Sequence, residues 1–215
     1  MDPSLSQAEA LCAVMAGIHR RGWCDGTGGN FSCVQQKEPL ELLMAPSGVD
    51  KGSVQPKDLI VVDAAGQVIQ GTGKASAETL LHLAIIATTG AGAVLHTHSP
   101  SATLLSRLAC PQGQGSAGIT IAGLEMLKGL EGITTHEAAI TVPVLANDQD
   151  LAKLSQAAVP HLPQAPHGLL IAGHGLYAWG AHLAMAKRHL EILEFLLEQT
   201  WRERLLEAPN QRIPP

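Results

Sequence analysis

The chain has 215 residues, of which 46% are hydrophobic, 15% charged and 3% aromatic. That length and apolar content fit one large domain with a core of Leu, Ala, Val and Ile, and they exclude disorder as the main state. Lys and Arg number 14 against 19 Asp and Glu, a formal charge of −5, which argues against a nucleic-acid backbone binder but not against a small anion held at a local site.

Leu5, Ala8, Leu11, Cys12, Met15 and Ile18 recur at threes and fours, which predicts a helix over residues 4–21 that stops at Gly22 after Arg20 and Arg21. A glycine-rich turn at 25–30 leads to strands at 31–35 and 40–44, then a turn at 45–48. A strand at 59–62, a hairpin turn at 64–66 and a strand at 67–70 follow. Residues 76–89 read as a helix capped by Ser76. After it come a short buried strand at 93–98 and a helix at 100–109. The stretch 110–118 is rich in Gly and Gln and reads as a loop, and 125–129 reads as irregular. A strand at 140–144, a helix at 147–158 and a strand at 169–172 come next, the last ending at Gly173-His174-Gly175 and continuing past a bulge at 177–179. A long helix over 181–207 carries Leu190, Leu193, Leu196 and Leu197 on one stripe, and 208–215 form a frayed tail. Turns between adjacent strands are too short for parallel crossovers, so one domain with a largely antiparallel sheet covered by helices is expected.

Residues 1–16 carry Asp2 and Glu9 and lack a basic segment before an apolar run, so no signal peptide is expected. No window reaches the roughly eighteen apolar residues of a membrane span. Cys12, Cys24, Cys33 and Cys110 contain no C-x-x-C spacing, so buried thiols are expected rather than a zinc knuckle or disulfides. Together these features give the expectation of a soluble cytoplasmic protein.

Ten histidines stand out in a chain with few other charges. In Ala93-Val-Leu-His-Thr-His98, strand alternation sends His96 and His98 to the same face. Two imidazoles on one face can chelate a metal; alternatively, one is a core histidine and the other is exposed. His174, flanked by Gly173 and Gly175 at a strand end, offers a third ligand and would complete a three-histidine zinc site with open positions. The turns around Gly28, Gly29 and Asn30, around Ser47 and Gly48, and at Ser76 expose amides and hydroxyls of the kind that hold phosphate oxygens, although most such turns are only turns. Glu78, expected in the first turn of the Ser76 helix, and Glu125 are the candidate proton-transfer carboxylates; by spacing alone both would be solvated surface groups.

In this order, Gly28-Gly-Asn30, Pro46-Ser-Gly48, Ser76-x-Glu78, His96-x-His98 and Gly173-His-Gly175 resemble the class II aldolase/adducin family over nearly the whole chain. The Gly22–Ser32 opening and Leu124-Glu-Met-Leu-Lys-Gly129 are similar to the branch that dehydrates a methylthio-bearing ketose 1-phosphate. The resemblance implies a three-layer α/β/α domain over 1–207 around a mainly antiparallel, mixed sheet. It implies one zinc ion per subunit on His96, His98 and His174, and a substrate phosphate at Gly28, Gly29, Asn30, Ser47, Gly48 and Ser76. It assigns Glu125 as the main acid/base and gives Glu78 a supporting part at the zinc or its water. The partners it implies are a phosphorylated ketose and further copies of the chain, as a homotetramer with active sites near subunit interfaces, with no nucleic acid and no membrane. An enediolate stabilised by zinc serves dehydration, aldol cleavage and 4-epimerisation alike, so a sugar-phosphate aldolase or epimerase is the alternative enzyme. An adducin-like binding module is a third reading, which the three histidines argue against.

Overall fold

The computed structural model describes residues 6–110 and 115–207. Helix α1 (Gln7–Arg20) starts at Ser6, whose hydroxyl accepts from the Glu9 amide while the Glu9 carboxylate accepts from the Ser6 amide, a reciprocal cap that satisfies two otherwise open donors. Its Leu11, Val14, Met15 and Ile18 are buried at helical spacing. Strands β1 (Asn30–Gln36), β2 (Glu41–Met44), β3 (Ile60–Asp63) and β4 (Val68–Gln70) form a meander. Helix α2 (Thr79–Thr89), strand β5 (Ala93–Thr97) and helix α3 (Pro100–Ala109) follow. Then come β6 (Ser116–Ala122), a 3-10 turn over Glu125–Gly129, β7 (Ala139–Leu145), α4 (Leu151–Ala158), β8 (Gly168–Ile171), β9 (Gly175–Gly180) and α5 (Leu183–Glu207).

The nine strands make one sheet in the order β4-β3-β2-β1-β5-β9-β8-β7-β6. Among the described residues every strand pair is antiparallel except β7 with β8. Strand alternation builds a core on each face. Phe31, Leu95, Leu176 and Ala178 pack with α1, α3 and α5, whereas Val94, Leu169, Tyr177 and Trp179 pack with α2 and α4. The three-layer, mainly antiparallel α/β expectation therefore describes the molecule.

Three local expectations need correction. Residues 177–179 do not continue β8: the chain reverses at Ala172-Gly173-His174, and β9 returns antiparallel beside β8, pairing with β5 on its other edge. A strand begins at Ser116, inside the segment read as a loop, because β7 offers a partner along its whole length. Helix α2 starts at Thr79 rather than at Ser76; Glu78 occupies the cap position and Ser76 closes the preceding turn, its carbonyl accepting from the Thr79 amide at 3.0 Å. The start of the first helix at residue 4 and the frayed tail at 208–215 lie outside the described residues. Cys12, Cys24 and Cys33 are buried thiols, as expected. No helix among the described residues is long and apolar enough to cross a membrane.

Candidate metal centre and active site

Four segments meet at one end of the sheet: the start of β1, the end of β5, the turn between β8 and β9, and the start of α2. Asn30 pairs with His96 across β1 and β5, and His96 pairs with Tyr177 across β5 and β9. Two glycines permit this closeness. Gly29 has φ +78°, and a Cβ there would sit 2.7 Å from the His96 carbonyl. At Gly175 a Cβ would run into the Thr97 carbonyl, so only glycine lets β9 start against the end of β5.

His96 ends on the α2 side of the sheet, fully buried and stacked on the Tyr177 ring with centroids 3.8 Å apart. Its Nδ1 lies 3.0 Å from the Leu176 carbonyl. A carbonyl only accepts, so the ring proton is on Nδ1 and Nε2 presents its lone pair. His98 follows one residue after β5. Its amide donates to the Trp23 carbonyl at 2.7 Å, and its Nε2 lies 2.8 Å from His96 Nε2. His174 Nε2 approaches His96 Nε2 at 3.3 Å and a Glu78 carboxylate oxygen at 2.8 Å. One ligand atom from each of Glu78, His96, His98 and His174 lies within 4.8 Å of the others. The rings meet edge to face, with centroids 4.7–4.9 Å apart, so their nitrogens converge on one point. Three imidazoles and a carboxylate, one ring already fixed in the metal-binding tautomer, fit a divalent cation.

The local electrostatics agree. Burial pushes the His96 pKa well below the usual range, and burial followed by the nearby His174 lowers that of His98, so both rings are neutral ligands at pH 7. For Glu78, burial acts to raise the pKa, but the hydrogen bond to His174 and the surrounding imidazoles outweigh it and bring it to about 2. Burial and the Glu78 carboxylate hold the Tyr177 phenol well above its usual pKa.

A second group, Glu131, His167 and His189, also brings three ligand atoms within 4.8 Å. Its two rings stack nearly parallel, 22° apart at 4.1 Å, so their in-plane lone pairs run side by side and do not meet. His189 Nε2 already accepts from the Glu131 amide at 3.3 Å. This group lacks the convergence of the first.

The expected phosphate residues are partly united. The Asn30 amide group donates to Ser76 Oγ at 3.1 Å and to the Glu78 carboxylate, tying the first turn to the start of α2. Ser47 and Gly48 stand exposed on the neighbouring turn. The Gly28 and Ser47 amides are engaged by the Asp25 and Lys74 carbonyls at 3.1 and 2.8 Å, which leaves the Ser47 hydroxyl as a donor. Lys51, only 1% exposed, donates to the carbonyls of Thr27 and Val49 at 3.1 and 3.0 Å and so stitches the two turns together. Its polar surroundings in sequence gave no hint of burial.

Glu125 is not brought into the four-group cluster. Its side chain is 72% exposed and pairs with Lys128 at 2.6 Å and His136 at 3.7 Å. The 3-10 turn buries Leu127 and Leu130, which leaves Glu125 facing solvent. Its neighbour Met126 shares a cleft of about 640 Å³ with Trp23, Ser99 and Phe195, so this segment lies beside the His98 turn.

Residues 9–201 match the family model described as "Class II Aldolase and Adducin N-terminal domain". The chain is 42% identical over 205 residues to a methylthioribulose-1-phosphate dehydratase of Serratia proteamaculans, covering 94% of this chain and 97% of the relative. It is 43% identical over 198 residues to the protein of the same name from Picosynechococcus, covering 90% of each. Among solved structures, L-fuculose-1-phosphate aldolase from Thermus thermophilus superposes with a TM-score of 0.73 at 25% identity, over 94% of this chain and 96% of that one. With a family model spanning nearly its whole length and a histidine cluster at the end of its sheet, the chain belongs to the class II aldolase and adducin family.

Proposed function

We propose that the protein is a hydro-lyase that dehydrates 5-methylthioribulose 1-phosphate to 2,3-diketo-5-methylthiopentyl 1-phosphate, a step of methionine salvage. The observation that carries this reading is the near full-length likeness to relatives of that name, in a chain whose own side chains form a metal-ligand cluster. His96, His98 and His174 would hold the metal, which we take to be one zinc ion per subunit. A zinc ion there supplies Lewis acidity to the substrate oxygens, which makes the adjacent carbon acid easier to ionise.

The remaining work belongs to the chain. Gly28, Gly29, Asn30, Ser47, Gly48 and Ser76 form the cradle for the substrate phosphate, with the Ser47 hydroxyl as an open donor; the Gly28 and Ser47 amides and the Asn30 side chain, engaged within the turns, fix its shape. Glu125 takes the C3 proton and a proton is delivered to the C4 hydroxyl, which leaves as water; the resulting enol tautomerises to the diketone. Glu78, ionised and set against His174, supports the metal and its water. Residues 1–207 make up the catalytic domain and the protein works in the cytoplasm. It assembles as a homotetramer, a reading supported by apolar side chains exposed on α5, Phe195 midway along it and Leu205 and Leu206 at its C-terminal end; light scattering at the mass of a single chain would refute it.

The scaffold likeness to a fuculose-phosphate aldolase keeps a second enzyme reading, aldol cleavage or 4-epimerisation of a sugar phosphate. Mass analysis of the reaction separates them. Dehydration gives a product lighter by one water, cleavage gives two shorter fragments, and epimerisation leaves the mass unchanged. Either of the last two outcomes would replace the dehydratase reading.

A further inference from the structure

Glu194 is a carboxylate in the wrong place for a surface acid. It lies midway along α5, only 1% exposed, beside Leu190, Leu193 and Leu197 on the face that packs against the sheet. Burying an ionisable group there is unfavourable unless something is gained, and hydrophobic residues of similar volume commonly do as well or better for stability. The hydrogen-bond partners of Glu194 are two hydroxyls. Thr97 Oγ1 donates to one carboxylate oxygen at 2.5 Å, and Ser99 Oγ donates to the other.

Those two residues flank His98. Strand alternation explains the geometry: His96 points to the α2 side, Thr97 to the α5 side, and His98 back toward the cluster. His98 lies beyond the last ladder pair, which joins Thr97 to Leu176, so the sheet does not fix its backbone. Two other contacts hold this turn. The His98 amide donates to Trp23, and Ser99 caps α3 by accepting from the Ala102 amide at 3.2 Å. The Glu194 carboxylate grips the residues on both sides at once, from the face opposite the metal ligands.

We infer that Glu194 is a positioning residue for the metal ligand His98, holding its turn by the paired grip on Thr97 and Ser99. This rests on the metal reading proposed above. Metal-ligand orientation by outer groups is commonly worth ten- to hundredfold in affinity.

The test is metal affinity, measured by competition with a chromophoric chelator, together with the visible spectrum of the cobalt-substituted protein and the thermal midpoint of the metal-free protein. In Glu194→Met, affinity is expected to fall at least tenfold and the cobalt bands to shift, while the metal-free midpoint stays level or rises. Glu194→Gln keeps both hydroxyl contacts by rotating the hydroxyl protons, and is expected to stay within about threefold of the wild type. Thr97→Val, which removes one of the two contacts, is expected to fall between, and it serves as the test if Glu194→Met does not fold. Wild-type affinity and spectrum in Glu194→Met, or in Thr97→Val should that variant be needed, would overturn the inference. So would an affinity loss that merely tracks a loss of folded protein. If the wild type itself binds no divalent metal, the metal reading fails and this inference falls with it; that failure shows in the wild type, whereas failure of the inference alone shows only in the variants.

Discussion

At the residue scale, the Leu176 carbonyl leaves His96 Nε2 as a lone pair among two other imidazoles, and a cation is what such a set can share. Glu125 poses the opposite problem, since it is exposed and drawn below the usual carboxylate range by its hydrogen bond and ion pair with Lys128. If Glu125 moves the C3 proton, Glu125→Gln keeps a full complement of metal and loses turnover by 10²-fold or more. Metal analysis beside steady-state rates checks this, and a normal rate would transfer the proton work to Glu78. The three histidines were legible in sequence because an H-x-H pair on a strand and a histidine between glycines each constrain geometry. Lys51 and Glu194 were not legible in the same way. Nothing near Lys51 marks burial, and Glu194 is visible only as a carboxylate next to Leu193, four residues after Leu190 and three before Leu197 on an otherwise apolar stripe.

At the scale of elements, the site depends on where β5 and β9 meet. The turn that carries His174 returns as β9 because Gly175 permits contact with the Thr97 carbonyl. Gly175→Ala forces the strands apart and is expected to cost about 3 kcal/mol or more, as overpacking does at its upper end. It should also weaken metal binding, because His174 is one residue away. Urea denaturation with and without metal checks both effects; an unchanged midpoint would mean that the two strands have slack. Most elements were legible from periodicity, since α1, α3 and α5 show apolar stripes and β1 to β4 are separated by clear turns. The misreadings fell where periodicity is silent. A three-residue reversal at Ala172-Gly173-His174 resembles a bulge in sequence, and β6 opens on Ser116, Ala117 and Gly118, small residues that show no buried alternation, before its buried Ile119 and Ile121. Only the partner strand distinguishes these cases.

For the whole molecule, buried titratable groups give the stability a pH signature. Burial lowers the His82 pKa to about 4. Between about 6.5 and 4 the unfolded chain therefore carries a proton there that the native one lacks, and stability falls as pH falls through this window. Glu194 acts the other way. Burial raises its pKa to about 7, so its contribution falls as pH rises from about 4.5 to 7. His96, His98 and His189 are lowered by burial as His82 is, so their combined loss outweighs the Glu194 gain: the metal-free protein is expected to lose stability on acidification across that range, and Glu194→Met to lose it more steeply. Urea midpoints at pH 6.5 and 4.5 test this, and a flat wild-type profile with a flat variant profile would contradict it.

The measurement that bears most directly on the whole reading is the product mass from 5-methylthioribulose 1-phosphate with zinc-loaded wild type and with His96→Ala at equal concentration. The expected result is a product lighter by one water from the wild type, with turnover reduced at least 10³-fold and metal lost in the variant. Equal conversion by both proteins, or cleavage into two fragments by the wild type, would contradict a dehydration centred on the histidine cluster.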